Sequence, residues 1–350
     1  MRALLILIAV ASCKTSTKPA PPSDDYCKGQ SHYVEAPSPL GTLGGSSVRP
    51  TNTFSIVARD PITGDLGVAV QSHWFSVGSI VTWAEPGVGA VATQAFAEPS
   101  YGPKGLALMR DGMPPAEAIA KLTAEDPQQA SRQLGFVDAL GRAASHTGAK
   151  CIAYASSKVG DGYAVQANIM ANDKVVPAMA QAFEATKGDL ADRMLAALDA
   201  AQAAGGDLRG CQSAAMLVVS GKKSDKPWAE RKIDLRVEDA ARPLVELRRL
   251  VALARAYDHM NQGDAAMEKK DIAAAAEHYA TARRMEPDNV EMTFWSGVTL
   301  VGGNQYDAGL PLVKQAFKAD PVYVELMKRL VDPPALLTKE AAERLLRDAR

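Results

Sequence analysis

The chain has 350 residues, and its 39 Lys and Arg are balanced by 40 Asp and Glu, for a net charge of −1. That length supports about two domains, and an apolar content of 47 % is enough for a sizeable core. A near-neutral chain without a basic stripe excludes the electrostatic footprint of nucleic-acid binding.

Met1 and Arg2 precede an apolar run that ends in Val10-Ala11-Ser12-Cys13. One charge, a short apolar stretch and small residues at the break read as an export signal, since a membrane-spanning helix needs roughly 20 apolar residues. Val-Ala-Ser-Cys resembles a bacterial lipobox. Residues 1–12 are therefore expected to be a lipoprotein signal peptide, with Cys13 the lipidated first residue of an exported cell-envelope protein and plain secretion as the alternative. An acyl chain would hold the protein to a membrane, inner or outer, without a helix crossing it. Residues 13–52 are rich in Ser, Pro, Gly, Thr and Lys and read as a flexible tether.

Thr53-Phe54-Ser55-Ile56-Val57-Ala58 and Leu66-Gly67-Val68-Ala69-Val70-Gln71-Ser72 flank a loop containing Pro61 and Gly64. Two β-branched runs around such a loop predict a β-hairpin. Strands are expected at 79–83, 89–94, 133–138, 143–147, 163–170 and 212–220. Helices are expected at 103–111 and 115–123, each with Pro in its first turn, and at 175–186 and 190–204. Strands and helices segregated in this order predict an α+β fold, most simply sheets between helical layers. This body is placed at 53–222, followed by a connecting segment and helix at 223–253.

The remainder, 254–350, reads as all-helical. Ala282 matches Ala316 and Pro287 matches Pro321 at an offset of 34, the tetratricopeptide period. Each repeat would be a helix pair stacked on its neighbour, with a C-terminal capping helix. A generic helical bundle is the alternative, and Pro311 interrupts the second copy.

The four cysteines are Cys13, Cys27, Cys151 and Cys211, with no C-x-x-C pair. A zinc ribbon is excluded. Export would permit a Cys151–Cys211 disulfide; two small buried hydrophobes is the other reading. No His spacing matches a metal motif, and no glycine run matches a nucleotide-binding loop, so neither metal nor cofactor is expected.

Thr53 leads the candidates for chemistry. A Thr with a free α-amine combines nucleophile and base in one residue, but an acylated nitrogen cannot take a proton. Gln166 and Asn168 share one strand face and could bind a carbonyl or an oxyanion. Ser72, Gln94, Tyr101 and Gln212 add polar groups at strand ends. His146 could serve as base or hydrogen-bond donor. Asp161, between two glycines, is most simply a turn residue.

Several motifs in order resemble the family called domain of unknown function 1028. They are Thr-Phe-Ser-Ile-Val-Ala-Arg-Asp-Pro from Thr53, Gly-Val-Ala-Val from Gly67 and Gly-Val-Gly-Ala-Val-Ala-Thr-Gln from Gly87. Pro-Ser-Tyr-Gly-Pro-Lys-Gly-Leu from Pro99, His-Thr-Gly from His146, Gly-Asp-Gly-Tyr-Ala-Val-Gln from Gly160 and Gln-Ser-Ala-Ala from Gln212 complete the series. The resemblance implies an N-terminal-nucleophile hydrolase fold, an α-β-β-α sandwich, and amide-bond hydrolysis as a class. Members of that family usually begin Met-Thr-Phe-Ser, so loss of Met exposes the Thr. Here Thr53 follows a leader, so this copy is inactive, uses another base, or has Asn52–Thr53 cleaved. In the last case Thr53 attacks, its amine moves the proton, and Ser72 and Asn168 steady the oxyanion. Gln94, Tyr101, His146, Asp161, Gln166 and Gln212 would contact a small amide or peptide substrate. The alternative is an inactive surface lipoprotein whose repeats bind a protein or peptide partner. Self-association is left open.

Overall fold

The computed structural model describes residues 53–330 and 337–349. The expected signal peptide, Cys13 and tether lie outside the described residues.

The predicted hairpin forms from β1 (Thr53–Arg59) and β2 (Leu66–Ser72), paired from Thr53 opposite Ser72 to Arg59 opposite Leu66. Asp60 sets the turn: its Oδ1 accepts from the backbone N–H groups of Ile62 and Thr63, both at 2.8 Å. Gly64 supplies a left-handed φ of 80°. Next come α1 (Gly78–Val81), β3 (Thr82–Glu85), β4 (Gly89–Ala95), α2 (Tyr101–Arg110) and α3 (Pro115–Ala124). β5 (Arg132–Asp138), β6 (Ala143–Thr147), β7 (Ser156–Gly160), β8 (Tyr163–Asn168), α4 (Val175–Ala185), α5 (Leu190–Ala203), β9 (Ser213–Val219) and β10 (Arg231–Val237) follow.

The strands form two antiparallel sheets. One has six strands in the order β10-β9-β2-β1-β8-β7 and the other four, β3-β4-β5-β6. Alternation along each strand separates three apolar layers. Val57, Val68, Val70, Ala92, Val137 and Leu217 fill the space between the sheets. Phe54, Ile56 and Val165 point the other way, onto Met179 and Phe183 of α4 and Met194 of α5. Val91, Leu134 and Phe136 pack outward on Leu106 of α2 and Ile119 of α3. Truncating a wholly buried ring such as Phe54 or Phe136 to Ala would remove about 3–5 kcal/mol.

The C-terminal region is all-helical: α6 (Pro243–Glu268), α7 (Ile272–Met285), α8 (Val290–Gly302), α9 (Tyr306–Ala319), α10 (Val322–Arg329) and α11 (Lys339–Asp348). Asp271, Asn289 and Thr338 each cap a helix N-terminus through a side-chain oxygen. Ile272 and Tyr306 open α7 and α9, and Met285 and Ala319 close them, so both ends are 34 residues apart. No helix among the described residues is long and apolar enough to cross a membrane.

Four expectations need correction. Residues 79–81 are helical, not strand: α1 ends as the Thr82 hydroxyl bonds back to Gly78 O at 2.7 Å. The sheet does not stop near 222, because β10 extends it at one edge. Ile233, Leu235 and Val237 alternate there with charged, outward residues, the pattern of an edge strand. No break separates 253 from 254, since α6 crosses it as one helix. Leu244, Leu247 and Val251 of α6 pack in the sheet body, while Ala256 and Met260 join the helical core. Cys151 is a free, partly buried thiol, whereas Cys211 is disulfide-bonded, so the two are not paired with each other.

Candidate active site

The open ends of β1, β2, β8, β4 and β5 meet at one edge of the sheet pair. The strand register places Thr53 between Ser72 on one side and Asn168 on the other. Thr53, Ser55 and Val57 alternate onto the inter-sheet face, so the apolar filling gives way to a polar cluster at this edge. Thr53, Ser55, Ser72, Gln94, Gln133, Gln166 and Asn168 are all buried.

These side chains satisfy one another across the sheets. The Thr53 hydroxyl donates to Ser72 Oγ at 3.2 Å. Gln166 Nε2 donates to Ser55 Oγ, which donates to Gln94 Oε1, both at 2.6 Å. Gln94 Nε2 reaches Gln133 Oε1 at 2.8 Å and Thr53 O at 3.2 Å. Asn168 Nδ2 donates to the same Gln133 oxygen at 3.0 Å and approaches Thr53 O at 3.5 Å. Gln133 Nε2 is held by Thr147 Oγ1 and Ala167 O, each at 2.9 Å. Two carboxamides from different sheets therefore fix the Thr53 carbonyl. Every side chain in the cluster is neutral, so its field comes from amide and hydroxyl dipoles.

Two acceptors are left over. Asn168 Oδ1 and Gln166 Oε1 are buried without a hydrogen-bond partner, an unfavourable state of about 1–3 kcal/mol each. The backbone is strained at the same edge. Ala95 and Ile169, the residues immediately after Gln94 and Asn168, have φ of 66° and 56°. A β-branched residue rarely adopts that conformation, and such strain concentrates at functional sites.

Of the residues singled out from sequence, the structure brings together Thr53, Ser72, Gln94, Gln166 and Asn168. Gln212 adjoins them through its backbone, with its N–H donating to Ser72 O at 3.0 Å. Tyr101 lies on the outer face of the four-stranded sheet. Its hydroxyl donates to Asp126 Oδ2 at 2.9 Å, beside the Arg132–Asp126 ion pair at 2.7 Å. It borders a separate cavity of about 270 Å3 with Glu98, Lys104 and Asp126. His146 pairs with Leu134 on that outer side, and its Nε2 contacts Gln129 O at 2.9 Å. Asp161 occupies the exposed β7–β8 turn at the far end of the strand from Asn168. No catalytic motif marks Gln133 or Ser55 in the sequence. Their signal was alternation: both fall on the inward face of a strand whose other inward residues are small or apolar.

Among the described residues, no group of three or more His, Cys, Asp or Glu could hold a metal ion. The cluster can position a hydroxyl nucleophile and accept a hydrogen bond at Asn168 Oδ1.

The model of a family of unknown function, DUF1028, matches residues 53–247. A crystal structure of a DUF1028 protein from Silicibacter pomeroyi is similar over 57 % of this chain and 88 % of its own, with 32 % sequence identity and a TM-score of 0.52. No curated protein matches.

Proposed function

The chain belongs to the DUF1028 family, and from that premise we propose that it is an amide-bond hydrolase of the N-terminal-nucleophile type, with Thr53 as nucleophile. Two central sheets with helices on their outer faces support that fold class. The observation that carries the reading is the placement of Thr53: it heads β1, its hydroxyl lies 3.2 Å from Ser72 Oγ, and two carboxamides hold its carbonyl.

Cleavage of Asn52–Thr53 frees the Thr53 amine. Thr53 Oγ then attacks the substrate carbonyl, a C–O bond forms, and the hydroxyl proton passes to the amine. Asn168 Oδ1, in register beside Thr53, accepts from the resulting ammonium. The tetrahedral intermediate collapses as the C–N bond breaks and the leaving amine takes that proton. Water cleaves the ester by the same route in reverse. The substrate is a small amide or a peptide. Asn168 acts chiefly by orienting Thr53, because its amide nitrogen is committed to Gln133 and the Thr53 carbonyl.

The protein is exported and held at the cell envelope through Cys13. The disulfide at Cys211 supports an oxidising compartment. The 34-residue spacing of α7 and α9 supports tetratricopeptide-like repeats, which bind a protein partner. A second reading, an inactive scaffold, draws support from the complete burial of Thr53.

N-terminal sequencing and intact mass of the mature protein test the enzyme. A species beginning at Thr53 that hydrolyses amides is expected. A protein that hydrolyses amides with Asn52–Thr53 intact overturns the mechanism, and an intact, inactive protein supports the scaffold.

A further inference from the structure

The two ends of the sheet pair are unlike. α6 starts near the Thr53 edge, where the Ala240 N–H donates to Gln212 O at 2.8 Å. By Arg255 it has reached the opposite end. Arg255 Nη2 lies 2.6 Å from Asp189 Oδ2, at the start of α5, and Arg193 of α5 pairs with Asp60 in the β1–β2 turn at 4.0 Å. The rest of α6, about 20 Å of helix at 1.5 Å per residue, therefore runs past that end with the helices packed on it. The Thr53 edge is clear of them.

That clear edge carries large apolar side chains in the open. Phe75, Ile152, Tyr154 and Leu208 are 63 %, 44 %, 52 % and 65 % exposed. Their three loops are joined just beyond the ends of β2 and β8. Ile169 N–H donates to Ile152 O at 3.0 Å, Leu208 N–H to Ile169 O at 3.2 Å, and the His73 N–H to Asp207 Oδ2 at 3.1 Å. Grouped exposed apolar surface of this kind marks a contact site. No charge of one sign dominates it. Arg209, beside Leu208, is neutralised by Asp207 at 3.0 Å. Lys150 lies two residues from Ile152, and Glu238, whose carbonyl accepts from the Ser76 N–H at 3.0 Å, lies near Phe75. The apolar side chains stand on separate loops with polar backbone between them. A folded partner would have to match that relief closely. A fluid bilayer boundary takes separate apolar protrusions, and an amphipathic Tyr among them, without matching. The body is also joined from this side: Thr53 opens β1 here, and the lipobox-like sequence ending at Cys13 lies upstream of that junction. We propose that the Thr53 edge docks on a bilayer surface, with Phe75, Ile152, Tyr154 and Leu208 entering the boundary between headgroups and acyl chains. Apolar burial, not charge, drives the docking. It requires neither an acyl group on Cys13 nor hydrolysis at Thr53.

The test uses the full chain carrying Cys13→Ser, so that no acyl group at Cys13 contributes. It is mixed with sucrose-loaded vesicles of phosphatidylcholine alone, and of phosphatidylcholine with about one-third phosphatidylglycerol. The chain should sediment with both, with affinities within about threefold of each other and little changed by added salt. Failure to sediment with either, or binding confined to the anionic vesicles and lost in salt, overturns the proposal. A Phe75→Ser, Leu208→Ser double variant alters only exposed side chains and should weaken binding about tenfold or more, the loss expected when two such side chains no longer leave water. Ile62→Ser with Trp228→Ser removes exposed apolar side chains at the opposite end and should leave binding unchanged. Equal losses in the two double variants would sink the assignment of this face. Hydrogen exchange without any of these surface substitutions keeps the test independent of how the variants fold. Vesicles should slow exchange at 152–154 and 207–209 about tenfold and leave 61–63 and 226–229 as they were; any other pattern contradicts the docking. If the Phe75→Ser, Leu208→Ser variant dissociates an oligomer and still binds vesicles as before, the edge is a contact between copies of the chain and the proposal falls.

Discussion

Gly135 of β5 and Gln166 of β8 face each other across the two sheets so closely that a β-carbon on Gly135 would stand 2.2 Å from Gln166 Oε1. The polar cluster is set by this approach, because Gln166 must lie flat to reach Ser55 while Gln94 and Gln133 fill the space beside it.

Gly135→Ala should therefore destabilise the protein by about 1–3 kcal/mol, the usual effect of overpacking a buried site. The urea midpoint reads it directly. Adding Gln166→Ala removes the clashing amide, so the double variant should lose less than the sum of the two single losses. Strict additivity would show that the two residues do not constrain each other.

Asp126 predicts a pH response outside the cluster. Burial pushes its carboxyl up, but hydrogen bonds from Arg132, the Gln128 N–H and the Tyr101 hydroxyl outweigh this and hold it below the ordinary value. A group depressed in the folded state contributes stability that is fully present above its unfolded value near 4 and is lost as pH falls through the folded value. Asp126→Asn should weaken the protein at pH 7 by about 2 kcal/mol, because it leaves the buried Arg132 without its carboxylate. Below pH 4 the variant should lose less further stability than the wild type. Parallel urea titrations from pH 7 to pH 3 check both signs.

The hairpin and the shared face of Gln166 and Asn168 were legible because turn chemistry and two-residue alternation are local. Gln133 was not, since nothing near it in sequence says that its amide meets Gln94 from the neighbouring strand and Asn168 from the other sheet. Tyr101, His146 and Asp161 sit within motifs that fall in order, yet motif order does not give direction. His146 follows Leu134 to the outer face by register, and Asp161 lies a full strand length from the cluster. Ile80 and Val81 favoured a strand by propensity, and tertiary context overrode it. The charged run before β10 disguised an edge strand as a linker. α6 reads as two pieces because its apolar stripe changes partner midway, from sheet to helices, without any break in helical period.

α8 and α9 cross at Gly297 and Gly309. A β-carbon on Gly309 would meet Gly297 O at 2.5 Å, a backbone atom that cannot step aside. Replacing a helical Gly by Ala ordinarily gains about 0.5–1 kcal/mol. Here the steric loss should exceed that gain, so Gly309→Ala should lower the melting temperature of the helical region. A rise would mean the helices can separate at small expense.

The last prediction separates position from chemistry at Thr53. The Thr53–Ser72 hydroxyl pair is buried, and one such hydrogen bond contributes about 1 kcal/mol. Ser72→Ala and Thr53→Ala should each lower stability by about that much and leave the strand register intact. Their effects on function should differ. Without the Thr53 hydroxyl there is no nucleophile, so Thr53→Ala should abolish amide hydrolysis and any self-cleavage at Asn52–Thr53. Thr53→Ser keeps the hydroxyl and the amine, and should retain both in part. Ser72→Ala removes only a partner of the nucleophile and should lower the rate about 10²-fold or less, within the range of an auxiliary proton-transfer or orienting group. Intact mass, N-terminal sequencing and amide turnover on the three variants give the answer. Thr53→Ala with undiminished turnover would exclude Thr53 as the nucleophile. Equal losses in Thr53→Ala and Thr53→Ser would show that the methyl group, through packing, matters more than the oxygen.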